Sequence, residues 1–501
     1  MRLIHCKTGK LCEFFGNSIP TYAILSHTWG ADEVTFQDMQ NGLEACQDKL
    51  GCSKIVKCCE IAARNGFMYV WVDTCCIDKT SSSELSEAIN SMYRWYEDAA
   101  VCYVSFSDVP SNEDPYSENS SFRNSRYFTR GWTLQELIAP VDVIFFSNDW
   151  KEIGTKLSLQ VLVSQITRIP RQLLSGVLGL DAFSIAQRMS RASNRRTTRL
   201  EDTAYSLMGL FGVNMPMIYG EGPRAFERLQ REIINVSDDQ SIFAWRHGQR
   251  ESGGYTGLLA LSPESFAMSQ DVIQRPAQHL SPFSWSNGCI QLRVPLQKLT
   301  DHLFLAILNC ERILAKDKPL AITLIRVSRR RSCFKRAFIH IREVDLQQSN
   351  PLREEDIFIK QAGLMKESYD TLTRVKYCHS FSIKGSSLLQ HGITVVGTYP
   401  PINFELRNHN GTDLLSELEK SALFTIRFRD SKGAYFDITV KWDGPRASIF
   451  VDEPQDETIE NMHWSLRNEL LYQEVRRTLC RRDEVGVTIR IEFAGRICLL
   501  W

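Results

Sequence analysis

The chain lacks an excess of either charge. Its 59 Lys and Arg balance 59 Asp and Glu, so no global field draws it toward nucleic acid or an anionic membrane. No run approaches the roughly 18 apolar residues of a membrane span, and no spanning helix is expected. Behind Met1-Arg2-Leu3-Ile4-His5-Cys6-Lys7 no long apolar stretch follows, so no secretory signal is expected either. Neither Cys-x-x-Cys nor His-x(3–5)-His spacing is repeated, and Cys378-His379 is too close-set to supply two ligands. No metal is expected on that pattern. A Gly-x(4)-Gly-Lys-Ser/Thr phosphate loop is missing, and one Trp442-Asp443 pair does not make a propeller. The 15 cysteines are odd in number and scattered, with adjacent pairs at Cys58-Cys59 and Cys75-Cys76. Such usage predicts reduced thiols in a cytoplasmic protein, not a disulfide framework.

What is present is globular. Hydrophobic residues make up 43% and charged residues 24% of 501 positions. At about 150 residues per domain this predicts two to four domains with room for a buried core. Three textures follow one another. Over 1–149, short β-branched and aromatic runs alternate with helical patterns, which predicts βα units and a mostly parallel sheet. Strands are expected at Tyr22–Ser26, Met68–Val72, Val101–Ser105 and Val143–Phe146, all nearly continuous apolar runs suited to burial on both faces. Helices are expected from Asp48 to Asn65, stopped by Gly66, and around Leu85, Ile89, Met92 and Tyr96, where Ser81 and Glu84 offer a capping box.

Over 150–245 the texture turns helical, punctuated at Gly209, Gly212, Pro216 and Tyr219-Gly220-Glu221-Gly222-Pro223, with a last helix over Ala225–Ile234. The polar, glycine-containing stretch 246–254 predicts a boundary, so Met1–Arg246 is expected to fold alone. Over 255–501, period-two alternation as in Ile290–Val294, Leu423–Phe428 and Val487–Phe493 predicts an antiparallel, sandwich-like β domain.

Polar residues gather at the carboxyl ends of the expected strands. The first runs into Ser26-His27-Thr28-Trp29-Gly30, the second into Asp73-Thr74-Cys75-Cys76-Ile77-Asp78, and the third into Ser105-Phe106-Ser107-Asp108. Ahead of the fourth lies Thr129-Arg130-Gly131-Trp132-Thr133-Leu134-Gln135-Glu136-Leu137. Ligands of open α/β sheets bind beyond the carboxyl ends of strands, at the topological switch point. Each residue also has a plainer role: a strand-end histidine, buried indoles, a turn-capping Asp73, a Glu136 paired with Arg130.

These three segments resemble the signature blocks of the fungal heterokaryon incompatibility (HET) domain, in family order and nearly unbroken. The stretch from Arg188-Met189-Ser190 through Thr198–Tyr205, with Tyr219–Gly222 and Ser241–Trp245, looks like the extension that follows that domain in vegetative incompatibility proteins. The resemblance covers roughly Met1–Trp245. It implies a flavodoxin-like sheet of the TIR type in the HET domain, and an intracellular effector of non-self recognition and regulated cell death. It also implies, as partners, further copies of itself or another incompatibility protein.

In TIR enzymes a Trp and a Glu four residues on form part of an NAD-cleaving site, and Trp132–Glu136 has that spacing. The resemblance thus assigns Glu136 as the catalytic carboxylate. His27, Trp29, Asp73, Arg130 and Trp132 become substrate-binding residues, with NAD as substrate and no bound cofactor. The competing expectation is a non-catalytic scaffold that self-associates and recruits a toxic partner. The arginines at 188, 191, 195, 196 and 199, and the run Ser328-Arg329-Arg330-Arg331, read as solvated faces without aromatic platforms for bases.

Overall fold

The computed structural model describes residues 1–246, 257–276, 283–298, 303–328, 332–344 and 353–361, plus strand backbone in segments between 380 and 494. Contacts divide the chain into two units. The first takes in Met1–Gly248, Thr256–Lys298 and Phe304–Gln361, the second mainly Ala362–Trp501.

The first unit begins with a seven-stranded sheet of β1 (Arg2–His5), β2 (Leu11–Glu13), β3 (Ala23–His27), β4 (Tyr69–Trp71), β5 (Val101–Ser105), β6 (Val143–Phe146) and β7 (Glu152–Thr155). Their order is β2-β1-β4-β3-β5-β6-β7. The inner four are parallel, with Ala23 opposite both Val70 and Val101, and His27 opposite Ser105. All four were expected from their apolar runs. The edges are not parallel: β1, β2 and β7 join antiparallel. These strands are three or four residues long, too short to show a pattern of their own. The chain passes from β3 to one neighbour, β4, then back to the other, β5. That reversal places a switch point at the end of β3.

Helices α1 (Cys52–Arg64), α2 (Ser82–Glu97), α3 (Ser121–Asn124) and α4 (Thr133–Ile138) connect these strands. Helix α1 buries Ile55, Cys58, Cys59 and Ala62 at helical spacing and ends before Gly66, whose φ of 85° suits glycine. The Ser81 hydroxyl caps α2 by accepting the Glu84 N–H, while the Glu84 carboxylate turns to the Asp78 N–H at 2.7 Å and to Arg2. The expected capping box is therefore half formed.

Six helices follow: α5 (Gln160–Thr167), α6 (Arg171–Leu174), α7 (Ile185–Ala192), α8 (Asp202–Tyr205), α9 (Met208–Phe211) and α10 (Arg224–Val236). The first unit then adds a second seven-stranded sheet: β8 (Val272–Gln274), β9 (Ser284–Ser286), β10 (Cys289–Lys298), β11 (Leu303–Arg312), β12 (Ala315–Ser328), β13 (Cys333–Glu343) and β14 (Glu354–Lys360). Strand β10 pairs antiparallel with β9, β11 and β14, β8 with β11, and β12 with β13, whereas β13 and β14 pair parallel. This sheet packs on the helical region. Buried Arg336 of β13 donates to the carbonyls of Phe243 and Trp245 at 3.1 and 2.8 Å. The division in contacts thus falls after Gln361, whereas the polar stretch at 246–254 pointed to an earlier one. Residues 247–256 lie outside the described residues, as do Arg329–Arg331 and Cys378-His379.

In the second unit the described backbone is strand. Thr394–Tyr399, Leu423–Arg429, Tyr435–Asp443 and Arg446–Asp452 form a four-stranded antiparallel sheet. Gly486–Ile489 and Ile491–Ala494 join separate two-stranded pairs.

The arginines between 188 and 199 do not share a solvated face. Arg191 is buried, Arg188 and Arg195 are half-buried, and only Arg196 and Arg199 are exposed. Helix α7 turns Ile185, Met189 and Ala192 into the core, and its arginines follow it inward. Every cysteine among the described residues is free. No described helix is long and apolar enough to cross a membrane.

Candidate functional site

Two groups of side chains flank the carboxyl end of β3. Consecutive strand residues point to opposite faces, so Ser26 and His27 serve different groups.

On one side, buried His27 lies between two carboxylates. Its Nδ1 is 3.9 Å from Asp73 Oδ1 and its Nε2 is 3.8 Å from Glu33 Oε2. Both distances exceed hydrogen-bonding range, and neither ring nitrogen has a partner among the described residues. The other Asp73 oxygen accepts Trp29 Nε1–H at 2.7 Å. Half-exposed Trp29 also carries the Lys79 ammonium 3.8 Å above its ring. Burial lowers the Lys79 pKa, opposed by the charges of Asp73 and Glu33. Burial by itself would raise the Glu33 pKa. The interaction with nearby His27, with hydrogen bonds from Lys54 and the Gly30 amide, prevails and holds it at about 2.

On the other side, Ser26 donates its hydroxyl to the Glu136 carboxyl at 2.5 Å and pairs with the Tyr127 hydroxyl at 2.9 Å. Glu136 is 5% exposed, on short helix α4. Burial first, then the charge of Asp73, pushes its pKa up to about 8, against hydrogen bonds from Ser26 and Tyr96 and the charge of Arg130. The group is therefore mostly a neutral acid at pH 7, and its anion grows as pH rises. A buried acid whose pKa is displaced toward neutrality beside a second carboxylate is a pattern of functional sites.

The remaining expected residues are placed differently. Arg130 acts on Glu136 through charge, while its Nη1 donates to Thr198 Oγ1 at 3.4 Å. Trp132 stands at the N-cap of α4, in register with Glu136, and hydrogen-bonds the Asp202 carboxyl of the helical region. Asp202 also accepts the Tyr219 hydroxyl at 3.0 Å.

Several contributors carry no motif. Arg126 binds across the switch point, donating to Thr28 Oγ1 at 3.0 Å, the Trp29 carbonyl at 3.2 Å and Ser107 Oγ at 3.4 Å. Arg195 donates to the Arg130 carbonyl at 2.8 Å and Thr133 Oγ1 at 3.0 Å. Burial pushes its pKa down to about 10 against the charges of Tyr127 and Glu136. Glu33, Lys54 and Lys79 come from loop and helix positions with no distinguishing spacing. Ser26 alone had a signal, its place one residue before His27 in a buried strand. Among the described residues no cluster of three or more His, Cys, Asp or Glu is arranged to hold a metal.

Comparison with known proteins bears on this region directly. A family model described as heterokaryon incompatibility protein (HET) matches residues 22–120, and one described as a domain of unknown function (DUF8212) matches residues 224–256. The vegetative incompatibility protein HET-E-1 of Podospora anserina is 51% identical over 223 residues, covering 43% of this chain and 16% of that protein. The chain thus spans about a sixth of the length of that curated relative. No solved structure matches. The HET match spans β3, β4, β5 and the loops that carry His27, Glu33 and Asp73, so this part of the chain is similar to the HET domain of incompatibility proteins.

Proposed function

We propose that this protein acts in heterokaryon incompatibility as a cytoplasmic effector of regulated cell death, and that its HET domain works by TIR-like cleavage of NAD. The 51% identity to a vegetative incompatibility protein supports the role. The single observation that supports the chemistry is the buried Glu136, with a pKa raised to about 8 by burial and by the charge of Asp73.

In this reading water replaces nicotinamide at the ribose anomeric carbon. The carbon–nitrogen bond breaks, nicotinamide departs neutral with the bonding pair, and the water gives up its proton. The transition state is oxocarbenium-like, and the Glu136 anion stabilises its positive charge. Asp73 and His27 hold ribose hydroxyls, Trp29 supplies an aromatic wall, and Arg130 pairs with phosphate. Trp132, bonded to Asp202, borders the site from the helical side.

The test incubates the full chain with NAD, dilute and forcibly clustered, and follows released nicotinamide. Release should climb about tenfold per pH unit up to pH 8 and level above it, as the anion forms. Glu136→Gln should lower it by about 10²–10³-fold. If the folded protein releases no nicotinamide in either state, the catalytic reading fails.

One observation favours a second reading. Ser26, Tyr96 and Tyr127 enclose Glu136, as they would a structural acid. The domain would then be a scaffold that self-associates or recruits another incompatibility protein, and Glu136→Gln would leave cell death intact.

A further inference from the structure

Arg188 and Arg191 lie one turn apart on α7, so both occupy one side of the helix. Arg191 is 6% exposed. Each guanidinium rests on an aromatic ring, Arg191 at 4.1 Å from the Phe183 centroid and Arg188 at 5.0 Å from that of Phe211. Arg188 Nη1 donates to the Leu210 carbonyl at 3.1 Å. Beyond that bond, Arg188 Nε and Arg191 Nη1 are shut off from water with no hydrogen-bond partner among the described residues.

Nor does a carboxylate neutralise them. Asp239 and Asp181 act on Arg188 from a distance, and the charge acting on Arg191 is Arg188 itself. Asp239 is already committed, taking the Ile185 and Ser241 amides at 2.7 and 2.9 Å. A buried cation is costly unless paired, and two adjacent cations compound the cost. A ring face offsets only part of this. The negative end of the α7 dipole favours positive charge near Arg191. It accounts for one charge near solvent, not for two desolvated ones. The unpartnered Arg188 Nε–H and Arg191 Nη1–H are the donors left for a planar or tetrahedral anion.

We propose that Arg188 and Arg191 form a binding site for a phosphate dianion, either the free ion or the terminal group of a small phosphorylated molecule. Two positive charges match a dianion, where one carboxylate would leave a charge over. The site is independent of the NAD reading, since neither arginine takes part in the β3 groups.

Calorimetric titration of the full chain uses inorganic phosphate, ribose 5-phosphate and acetate. The expected result is one saturable phosphate site, with acetate far weaker. Charged hydrogen bonds of this kind make Arg191→Gln and half-exposed Arg188→Gln bind about 10–100-fold more weakly. Arg196→Gln, altering an exposed neighbour, should bind as the parent does. Tighter ribose 5-phosphate assigns a monoester, and tighter inorganic phosphate assigns the free ion. A second measurement covers the case of a misfolded variant. Arg191→Met should melt higher than the parent without phosphate, because it removes an unpaired buried charge. Phosphate should then stabilise the parent by about 2–4 °C per tenfold rise in concentration past half-saturation, and leave Arg191→Met unmoved. Absence of saturable binding to the folded parent, or Arg188→Gln and Arg191→Gln binding as tightly as the parent, overturns the proposal.

Discussion

Glu136 and Ser26 stand 110 residues apart in the chain and share one hydrogen bond at the switch point. Against that bond, burial and then the charge of Asp73 raise the Glu136 pKa from 4.5 to about 8. The consequence for stability has a definite sign. Below about pH 4.5 folded and unfolded chains both hold the proton, and the contribution is full. Between 4.5 and 8 only the folded chain keeps it, so stability falls as pH rises toward 8, by up to about 1.4 kcal/mol per pH unit. Glu136→Gln should remove that slope and leave the variant at least as stable as the parent at pH 8. Melting temperatures of both proteins across the window check it, and parallel curves would refute it. His27, Asp73 and Glu136 were legible because each sits beside a strand end or in a named block. Glu33, Lys54, Lys79 and Arg126 were not, because loop and helix side chains that converge in space leave no period in the chain. Trp132 shows the limit of spacing: four residues set the register on α4, while Asp202 sets the indole's partner.

Strands β3, β5 and β6 could be read from apolar runs because a strand buried on both faces has no polar residue to interrupt it. Helix α1 begins at Cys52, four residues after the expected Asp48. The close approach at its start explains the delay. A Cβ at Gly51 would meet Glu33 Oε2 at 2.9 Å and the Asp32 carbonyl at 3.0 Å. The seam between α2 and α9 depends on a glycine in the same way. A Cβ at Gly209 would fall 2.1 Å from Tyr93 Cβ and 2.4 Å from its Cγ, atoms fixed to the α2 backbone that cannot swing clear. Gly209→Ala should therefore push the two helices apart and cost about 1–3 kcal/mol, despite alanine's better helix propensity. Adding Tyr93→Gly to it should recover part of the loss, since the Cβ and the ring that it meets are then both gone. Urea midpoints of the two single variants and the double report the coupling. Strict additivity would show that the seam does not carry the strain.

The polar stretch at 246–254 looked like a domain boundary because composition changes there, yet tertiary bonds cross it repeatedly. Gln230 of α10 donates to the Ala260 carbonyl at 2.9 Å and accepts the Ala260 amide at 2.8 Å. Ser184 at the head of α7 donates to the Val272 carbonyl at 2.7 Å. The Asn309 amide of β11 donates to Gln240 at 2.8 Å. Trp245 is fully buried, its ring 3.8 Å from the Arg336 guanidinium and its Nε1–H on the Leu258 carbonyl at 2.8 Å. A chain cut after Arg246 keeps Phe243 and Trp245 but loses Leu258, Phe266 and Arg336, leaving apolar surface and carbonyls without partners. Cut after Gln361, it keeps every bond just named. Residues 1–361 should be monodisperse and unfold in one cooperative step, whereas residues 1–246 should aggregate or bind hydrophobic dye. Arg336→Met in residues 1–361 separates the two causes. It fills the volume but leaves the Phe243 and Trp245 carbonyls without this donor, so a loss of about 3–5 kcal/mol marks the bonds as the attachment. A loss below about 1 kcal/mol would mean that apolar packing alone holds the second sheet to the helices. A soluble, cooperative 1–246 fragment would move the boundary back to the polar stretch.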